Sequence, residues 1–567
     1  MIPETVPDLR EKPHVLADQG AGTGPVPART AVAVVGGSVV GLTTAALLAR
    51  WAVPCVLVEK HPAPLNHPRA RGFSPRTVEV FRQLGVEAAI RAVAGLGSDD
   101  PTTPAMRAAT LADPDPHLFE AGVLESMAGI SPCTAQPVHQ NLVEEVLYRR
   151  ALDLGADIRF GVRAVTVDQD AEGVALQLRD RNGRDHLLHA DYLVAADGAT
   201  SRIRRHCNIA VRGPGTLAHV LSLMFEADLD SLLQGRRFNV CYLDHPKPGT
   251  VLAPAGPGRW TMATGYAPEH GETLADYPPE RCRAMITAAL GDPGIEVNLL
   301  PKMPGSDDIA ASFTIGAQVA ERFRDGRIFL AGDAAHLVPP TGGFGANTGI
   351  QDAHNLAWKL AAVHHGHAGP ALLDSYHDER HPVATYTLGQ ALARARERTG
   401  HEHHDTPEEL DPAPTVIFGH QYRSTAVLDA PTDAAPALPP DQLNGQPGTR
   451  APHLPIRQGQ HRASTLDLYG SGFVLLTGPD AEDWAKAANA HTARRATPLT
   501  TIRIDTDITG HDRPLADAHG ITSQGAVLIR PDGIVAWRNA SSVQNPGAAL
   551  DEAFDQLLHN RPGSSTD

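Results

Sequence analysis

The segment Gly332-Asp333-Ala334-Ala335-His336 runs straight into Pro339-Pro340-Thr341-Gly342-Gly343-Phe344-Gly345-Ala346-Asn347. It joins an acid that reads as the buried end of a strand to a stiff, glycine-rich loop and then to a helix. An aspartate placed there can accept hydrogen bonds from a polyol chain. The glycines let backbone approach a flat ring, and the helix N-terminus offers a partial positive charge that would favour an anionic form of that ring. His336 is a candidate acid–base group, but in an apolar strand-to-loop setting it reads as a hydrogen-bonded structural histidine.

Two further groups suggest phosphate and ribose chemistry. Gly36-Gly37-Ser38-Val39-Val40-Gly41 follows the apolar run Ala31–Val35. In a dinucleotide fold the first glycine permits the tight turn, the second lets backbone approach a pyrophosphate, and the third lets helix and strand pack closely. Ser38 holds the second of those positions; its side chain is small enough to fit, and its hydroxyl can donate to phosphate. Glu59 ends the apolar run Cys55–Glu59 about 20 residues on, where a ribose hydroxyl is held in such folds. The third group is Asp197-Gly198-Ala199-Thr200-Ser201-Arg202. It follows Tyr192–Ala196, and Arg202 and Arg204 behind the aspartate can organise a second phosphate-bearing ligand through charge-assisted bonds.

The elements that must position these groups are legible as changes of apolar period. Ala31–Val35, Val39–Trp51 and Cys55–Glu59 read as strand, helix and strand, the start of a doubly wound α/β domain. Helical spacing returns at Arg76–Leu84 and Leu142–Leu154, and Asn182-Gly183 between alternating segments predicts a hairpin. Residues 216–304 read as an inserted sheet domain with one helix, Glu280–Leu290. Ile328–Ala331 then returns to a buried strand, and a helix over Thr348–Val363 has capping-box spacing at Thr348 and Gln351. Residues 396–450 lack periodicity and read as a solvated linker, the cluster His401-Glu402-His403-His404-Asp405 included. Residues 451–567 follow a βαβ then ββα order with the hairpin turn Asp532-Gly533, suggesting a separate three-layer domain.

At 567 residues the chain has room for two or three domains. Its formal charge of −16 disfavours nucleic acid and anionic membranes as partners. Five scattered cysteines in no CxxC pattern argue against a disulfide framework and against a zinc site, and fit a reducing cytoplasm. The uncharged stretch Ala31–Ala49 approaches membrane-spanning length, but Gly36, Gly37 and Gly41 interrupt it. Residues 1–29 read as a flexible leader.

These motifs, in this order, resemble the group A flavin-dependent aromatic hydroxylases. The match runs over about 30–400 and is carried by "GRIFLAGDAAHLVPPTGGFGANTGIQDAHNLAWKLAAV", by "LLDSYHDERHPVA" (372–384) and by "HPRARGFSPRTVEVFRQLG" (67–85). The 451–567 region is similar to the cysteine-free, thioredoxin-like domain of the phenol hydroxylase and polyketide hydroxylase branches. The resemblance implies a Rossmann-like FAD-binding domain in two parts (30–215 and 305–395), an interleaved β-sheet substrate domain (216–304), a linker (396–450) and a thioredoxin-like domain (451–567). It further implies that Gly36, Ser38, Gly41 and Glu59 hold the adenosine half of FAD. Arg69 and Gln140 would lie near the pyrophosphate or ribityl chain, with Gln136 an alternative to Gln140. Asp333 would bind the ribityl chain, with Gly345, Ala346 and Asn347 at the isoalloxazine and Pro340 stiffening the wall beside it. Asp197 and Gly198 would belong to a motif shared between FAD and NADPH.

The activity implied is that of a cytoplasmic monooxygenase, monomeric or homodimeric. NADPH reduces FAD, O2 adds at the flavin C4a, and the hydroperoxide hydroxylates a small aromatic substrate, most consistent with a polycyclic polyketide. No residue is assigned as acid or base, and no metal is expected. The same motifs leave open Baeyer–Villiger oxygenation, epoxidation, hydroxylation that inactivates an antibiotic, and a noncatalytic FAD-fold binding protein.

Overall fold

The computed structural model describes residues 24–63, 70–94, 103–119, 125–301, 308–399, 409–431, 435–510 and 514–559. Arg69 and the cluster 401–405 lie outside them. The apolar runs become parallel strands because each is buried on both faces: Arg29–Val35 and Cys55–Glu59 are enclosed along almost their whole length. Arg29–Val35 sits centrally, pairing in parallel with Cys55–Glu59 on one side and Asp185–Ala195 on the other. Ile328–Leu330 extends the sheet beyond Asp185–Ala195, and Asp157–Phe160 extends it beyond Cys55–Glu59.

This order has a consequence for the site. Val35 is in register with Val58 and Ala195, and Leu330 with Ala195. The four strands therefore end together, and the residues that follow them (Gly36, Glu59, Asp197 and Asp333) emerge along one edge. Ligands of open α/β sheets bind outside such carboxyl ends. The helices Val39–Arg50, Gln140–Asp153 and Phe344–His364 pack their apolar sides into the same core.

The second sheet has nine strands. It takes Val211–Glu226, Val240–Leu243, Thr250–Gly256, Arg259–Tyr266 and Asn298–Leu300, but also Ala105–Ala108, His117–Phe119, Ala310–Ala320 and His336–Leu337. The 216–304 limits read from sequence thus cut through a continuous sheet. Its two longest strands, of 16 and 11 residues, run on from the first layer without any break in composition. Cys282, Ile286, Ala289 and Leu290 of the helix Pro279–Leu290 cover one face of this sheet, against Leu221, Leu223 and Phe225.

A third sheet, in the order Leu499–Arg503, Phe473–Thr477, Ala526–Ile529, Val535–Asn539, has one parallel pair followed by antiparallel ones. With helices Glu482–Arg494 and Pro546–Leu557 it is the thioredoxin-like layer. Its Phe473, Leu475 and Phe554 share a core with Trp358 and Leu372 of the first layer.

Three readings are corrected. The helix read as starting at Thr348 begins at Phe344, with Gly343 in the left-handed region as its N-cap. Thr348 is a full turn inside and its hydroxyl donates back to the Phe344 carbonyl at 2.9 Å, so no capping box forms there. Residues 396–450, read as a linker, are packed structure where described: the helix Ser375–Thr399 runs into them, Ala413–Phe418 is a further helix, and Tyr422 and Val427 are buried with Val383 and Ile534. Asp333, read as a buried acid, is exposed at the tip of its turn. Among the described residues no helix is long and apolar enough to cross a membrane, and all five cysteines are buried and free.

Candidate active site

At the first turn two glycines are sterically required. Gly36 has φ +116°, and a Cβ there would lie 2.1 Å from the Ala196 carbonyl oxygen; a Cβ at Gly41 would lie 1.9 Å from the Gly36 carbonyl oxygen. Glu59 closes over this turn, accepting the Gly37 N–H at 2.7 Å and the His61 N–H at 2.8 Å. Ser38 behaves differently from its sequence reading. Its hydroxyl donates to Glu144 at 2.6 Å, while Gln140 Nε2 donates to the Ser38 oxygen at 3.0 Å and to Glu144 at 2.7 Å. The hydroxyl proton expected for a phosphate is engaged by a carboxylate that also accepts the Val39 N–H at 3.0 Å.

Glu144 was not singled out from sequence, although its i, i+4 relation to Gln140 puts both on one helix face. Gln140 also exchanges hydrogen bonds with Ala70, its backbone N–H donating at 2.9 Å and its Oε1 accepting at 3.3 Å. Gln136 instead bonds Thr134 and pairs its backbone with Phe73. Of the two glutamines, Gln140 is the one against the dinucleotide turn.

At the Asp-Gly motif, Gly198 takes φ +81°, and Asp197 Oδ2 accepts the Arg202 and Ile203 N–H groups at 2.9 and 3.2 Å. Its Oδ1 is buried with no hydrogen-bond partner among the described residues. Arg204 reaches across to the Gly-Asp motif and donates from Nη1 to the Ala334 carbonyl at 3.2 Å, while its Nε is buried without a partner.

The buried carboxylate of the Gly-Asp region proves to be Asp352, one layer behind Asp333. It accepts from the Gly332 N–H at 3.1 Å, from His336 Nε2 at 2.6 Å and from Arg380 Nε at 2.8 Å, with the three side chains fully enclosed. Burial acts to raise the Asp352 pKa, but His336 and Arg380 outweigh it and hold the carboxyl below its ordinary range. His336 is therefore a structural histidine. Gly332 itself has φ +61° and faces Val40 of the first helix, where a Cβ would lie 2.9 Å from Val40 Cγ2.

Asn347 is buried, and its amide clamps two segments together. Oδ1 accepts the Ser74 N–H at 2.9 Å, and Nδ2 donates to the Gly343 carbonyl at 2.7 Å and the Gly72 carbonyl at 3.4 Å. Gly345 and Ala346 are half-buried on the first helical turn, and Pro340 is exposed before it. No side chain caps the N-terminus of this 21-residue helix, so its first N–H groups and the positive end of its dipole face the edge. A flavin dinucleotide fits these features. A buried acceptor and a buried donor lacking protein partners meet hydroxyls and phosphates, and a bare helix end meets the electron-rich side of the ring.

The second sheet closes on the same region. Arg71 donates from Nη2 to the Pro254 carbonyl at 2.6 Å, tying the loop beside Asn347 to that sheet. From the helix Ser375–Thr399, the Ala391 carbonyl accepts from Thr341 Oγ1 at 2.7 Å, and Arg394 lies 5.3 Å over the Phe344 ring. One turn on, Arg398 is buried between the rings of Phe119 and Tyr242, at 5.9 and 5.8 Å, with Nη1 3.4 Å from the Tyr242 hydroxyl. Sequence reading missed this pair because it took residues 396–450, Arg398 included, as a linker. The i, i+4 repeat Arg394/Arg398 was the available signal.

Residues 29–391 match the FAD binding domain family, and residues 444–560 match the aromatic-ring hydroxylase, C-terminal family. The chain is 40% identical over 540 residues to a putative polyketide hydroxylase of Streptomyces halstedii, covering 91% of this chain and 94% of that one. It is 37% identical over 542 residues to 4-methyl-5-nitrocatechol 5-monooxygenase of a Burkholderia species, covering 93% and 97%. The crystal structure of aklavinone-11 hydroxylase with FAD and aklavinone superposes with a TM-score of 0.85 at 34% identity, over 94% of this chain and 99% of that one. With both parts of the family matched and the fold superposed along nearly the whole chain, the protein belongs to the group A flavin-dependent aromatic hydroxylases and is an FAD-dependent monooxygenase.

Proposed function

We propose that this monooxygenase hydroxylates a polycyclic aromatic polyketide in the cytoplasm, as a monomer or homodimer, using NADPH and O2. In this reading FAD runs along the strand-end edge. Gly36, Ser38, Gly41 and Glu59 receive its adenosine half, Gln140 and Arg69 its middle, Asp333 the ribityl chain, and Gly345, Ala346 and Asn347 the ring. Asp197 and Gly198 lie where FAD and NADPH would be shared. Bound FAD supplies the electron transfer from NADPH and the activation of O2.

The chain's own residues do the positioning. Gly36 and Gly41 keep side chains out of the turn, and Asn347 fixes the ring-side loop at 72–74 to the helix start. Gly332 is held by Asp352 so that Asp333 projects from a fixed turn. The second sheet supplies a largely apolar wall of Phe119, Val240 and Val251. Arg398 and Tyr242 give that wall one cationic, hydrogen-bonding end. A guanidinium there lowers the energetic cost of a phenolate, the form of a phenol most reactive toward an electrophilic oxygen. The observation that carries the reading is this juxtaposition of a bare helix end and unpartnered Asp197 and Arg204 atoms with an aromatic wall ending in Arg398.

The relatives at 40% and 37% identity are named for different substrate classes, so identity alone does not choose between them. A direct competition does. Purified holoenzyme is given NADPH with either polycyclic phenols or single-ring nitrocatechols, and product and H2O2 are counted separately. We expect coupled product formation with the polycyclic phenols. Coupled turnover of the single-ring compounds alone would reverse the assignment of substrate class.

A further inference from the structure

A cavity of about 200 Å³ lies on the seam between the first layer and the thioredoxin-like layer. It is lined by Arg50, Arg76 and Arg82 from one side and by Arg450 and Tyr469 from the other, with Glu79 and Asp467 between them. Arg50 ends the helix that starts at Val39. At about 1.5 Å per residue this places it a full helix length from the dinucleotide turn.

The protein's own charges leave this cavity positive. Glu79 is shared by Arg76 at 2.8 Å and Arg450 at 2.5 Å, and Asp467 is taken by Arg82 at 2.6 Å. Arg50 has only a carbonyl, that of Gly470 at 3.1 Å. Nearby Arg150 likewise donates to a carbonyl, of Leu84 at 2.8 Å. Neither forms an ion pair among the described residues. Burial first and then Arg150 depress the Arg50 pKa, as expected for a cation short of an anion. Independently of charge, Tyr469 lines the same cavity, and its hydroxyl is buried with no hydrogen-bond partner among the described residues. Water alone can satisfy a phenol, but it leaves the guanidiniums unneutralised.

We propose that this seam cavity is a binding site for a tetrahedral oxyanion of phosphate size, held by Arg50 and Arg450 through charge-assisted bonds and by the Tyr469 hydroxyl. The volume sets the class. At about 30 Å³ per water it takes one such ion and a few waters, whereas whole organic ligands occupy roughly 300 Å³ or more. The bound ion links the end of the first dinucleotide helix to the C-terminal layer, so its effect is on the seam and not on flavin chemistry.

The test uses the FAD-loaded full chain, with inorganic phosphate as probe and sodium chloride holding ionic strength constant. Melting temperature should rise saturably with phosphate, because an ion that binds only the folded state stabilises it by mass action. Arg50→Gln should weaken the apparent phosphate affinity by about tenfold, the loss of one bond to a charged group. Tyr469→Phe, which removes a hydroxyl with no protein partner, should melt like the parent without phosphate and weaken the phosphate response by about fivefold. The proposal is overturned if melting follows ionic strength alone. It is equally overturned if the phosphate response of Tyr469→Phe matches the parent, a readout that stands even where Arg50→Gln fails to fold.

Discussion

The flavin edge and the seam beneath the thioredoxin-like layer are both rich in buried polar groups, but the groups are arranged differently. At the edge, Asp197 Oδ1 and Arg204 Nε are enclosed without protein partners, and a long helix points a bare N-terminus outward. At the buried centre of the seam, around Glu379, charges are matched among themselves. Glu379 takes Lys359 at 2.8 Å and both terminal nitrogens of Arg530, at 2.6 and 2.9 Å, while Arg530 also grips Asp532. All of these lie in the interior. Unsatisfied polar atoms mark where a ligand completes the molecule, and a saturated network marks where the chain completes itself. Arg530 and Asp532 sit in the hairpin turn of the third sheet, so this network bolts that layer to the helices Phe344–His364 and Ser375–Thr399.

Breaking the seam should therefore cost stability, and altering the edge should cost ligand affinity. The largest effect expected is for Glu379→Ala, which strands Lys359 and Arg530 in the interior. Denaturant unfolding should show a loss of about 3–5 kcal/mol. Arg398→Met should come next, lowering kcat for a phenolic substrate by about 10–100-fold through loss of a bond to a charged group. Its FAD content, read from the absorbance spectrum, should be unchanged. Asp197→Asn keeps an oxygen for the Arg202 and Ile203 N–H groups but alters the unpartnered position. It should weaken FAD binding by about 1–3 kcal/mol while apoprotein stability stays within about 0.5 kcal/mol.

At pH values just below neutrality, the smallest effect is a pH dependence in the seam. His354 faces Gln83 at 2.7 Å. Burial, reinforced by Arg76, pushes its pKa from 6.5 down to about 3. Between those values the unfolded chain binds a proton that the folded chain does not, so stability falls as pH drops from 6.5 toward 3 and is flat above. For this residue the slope is at most about 1.4 kcal/mol per pH unit. Comparing unfolding of the parent and of His354→Gln across that range should show the variant less steep by this amount. Equal slopes would remove His354 as the source.

The edge was largely legible in the sequence because parallel buried strands are continuous apolar runs, and each is followed at once by Gly36, Glu59, Asp197 or Gly332-Asp333. Local rules suffice for such features. Asp333 and Asp352 could not be sorted into exposed and buried from the strand alone, since the deciding partners, His336 and Arg380, converge only when two helices pack. Glu379 and Arg530 are 151 residues apart, and nothing local to either predicts their pairing. The 216 boundary failed for another reason. A strand that bends from one layer into the next keeps its alternation, so no change of pattern marks the crossing.

The central claim, that the strand-end edge is where FAD is held, is tested most directly by titrating FAD into apoprotein of the parent and of Asp333→Ala. Quenching of flavin fluorescence serves as the readout. The account predicts one tightly bound FAD per parent chain and an affinity lower by about 1–3 kcal/mol in the variant, with the fold of both intact by circular dichroism. An unchanged affinity in Asp333→Ala would contradict it.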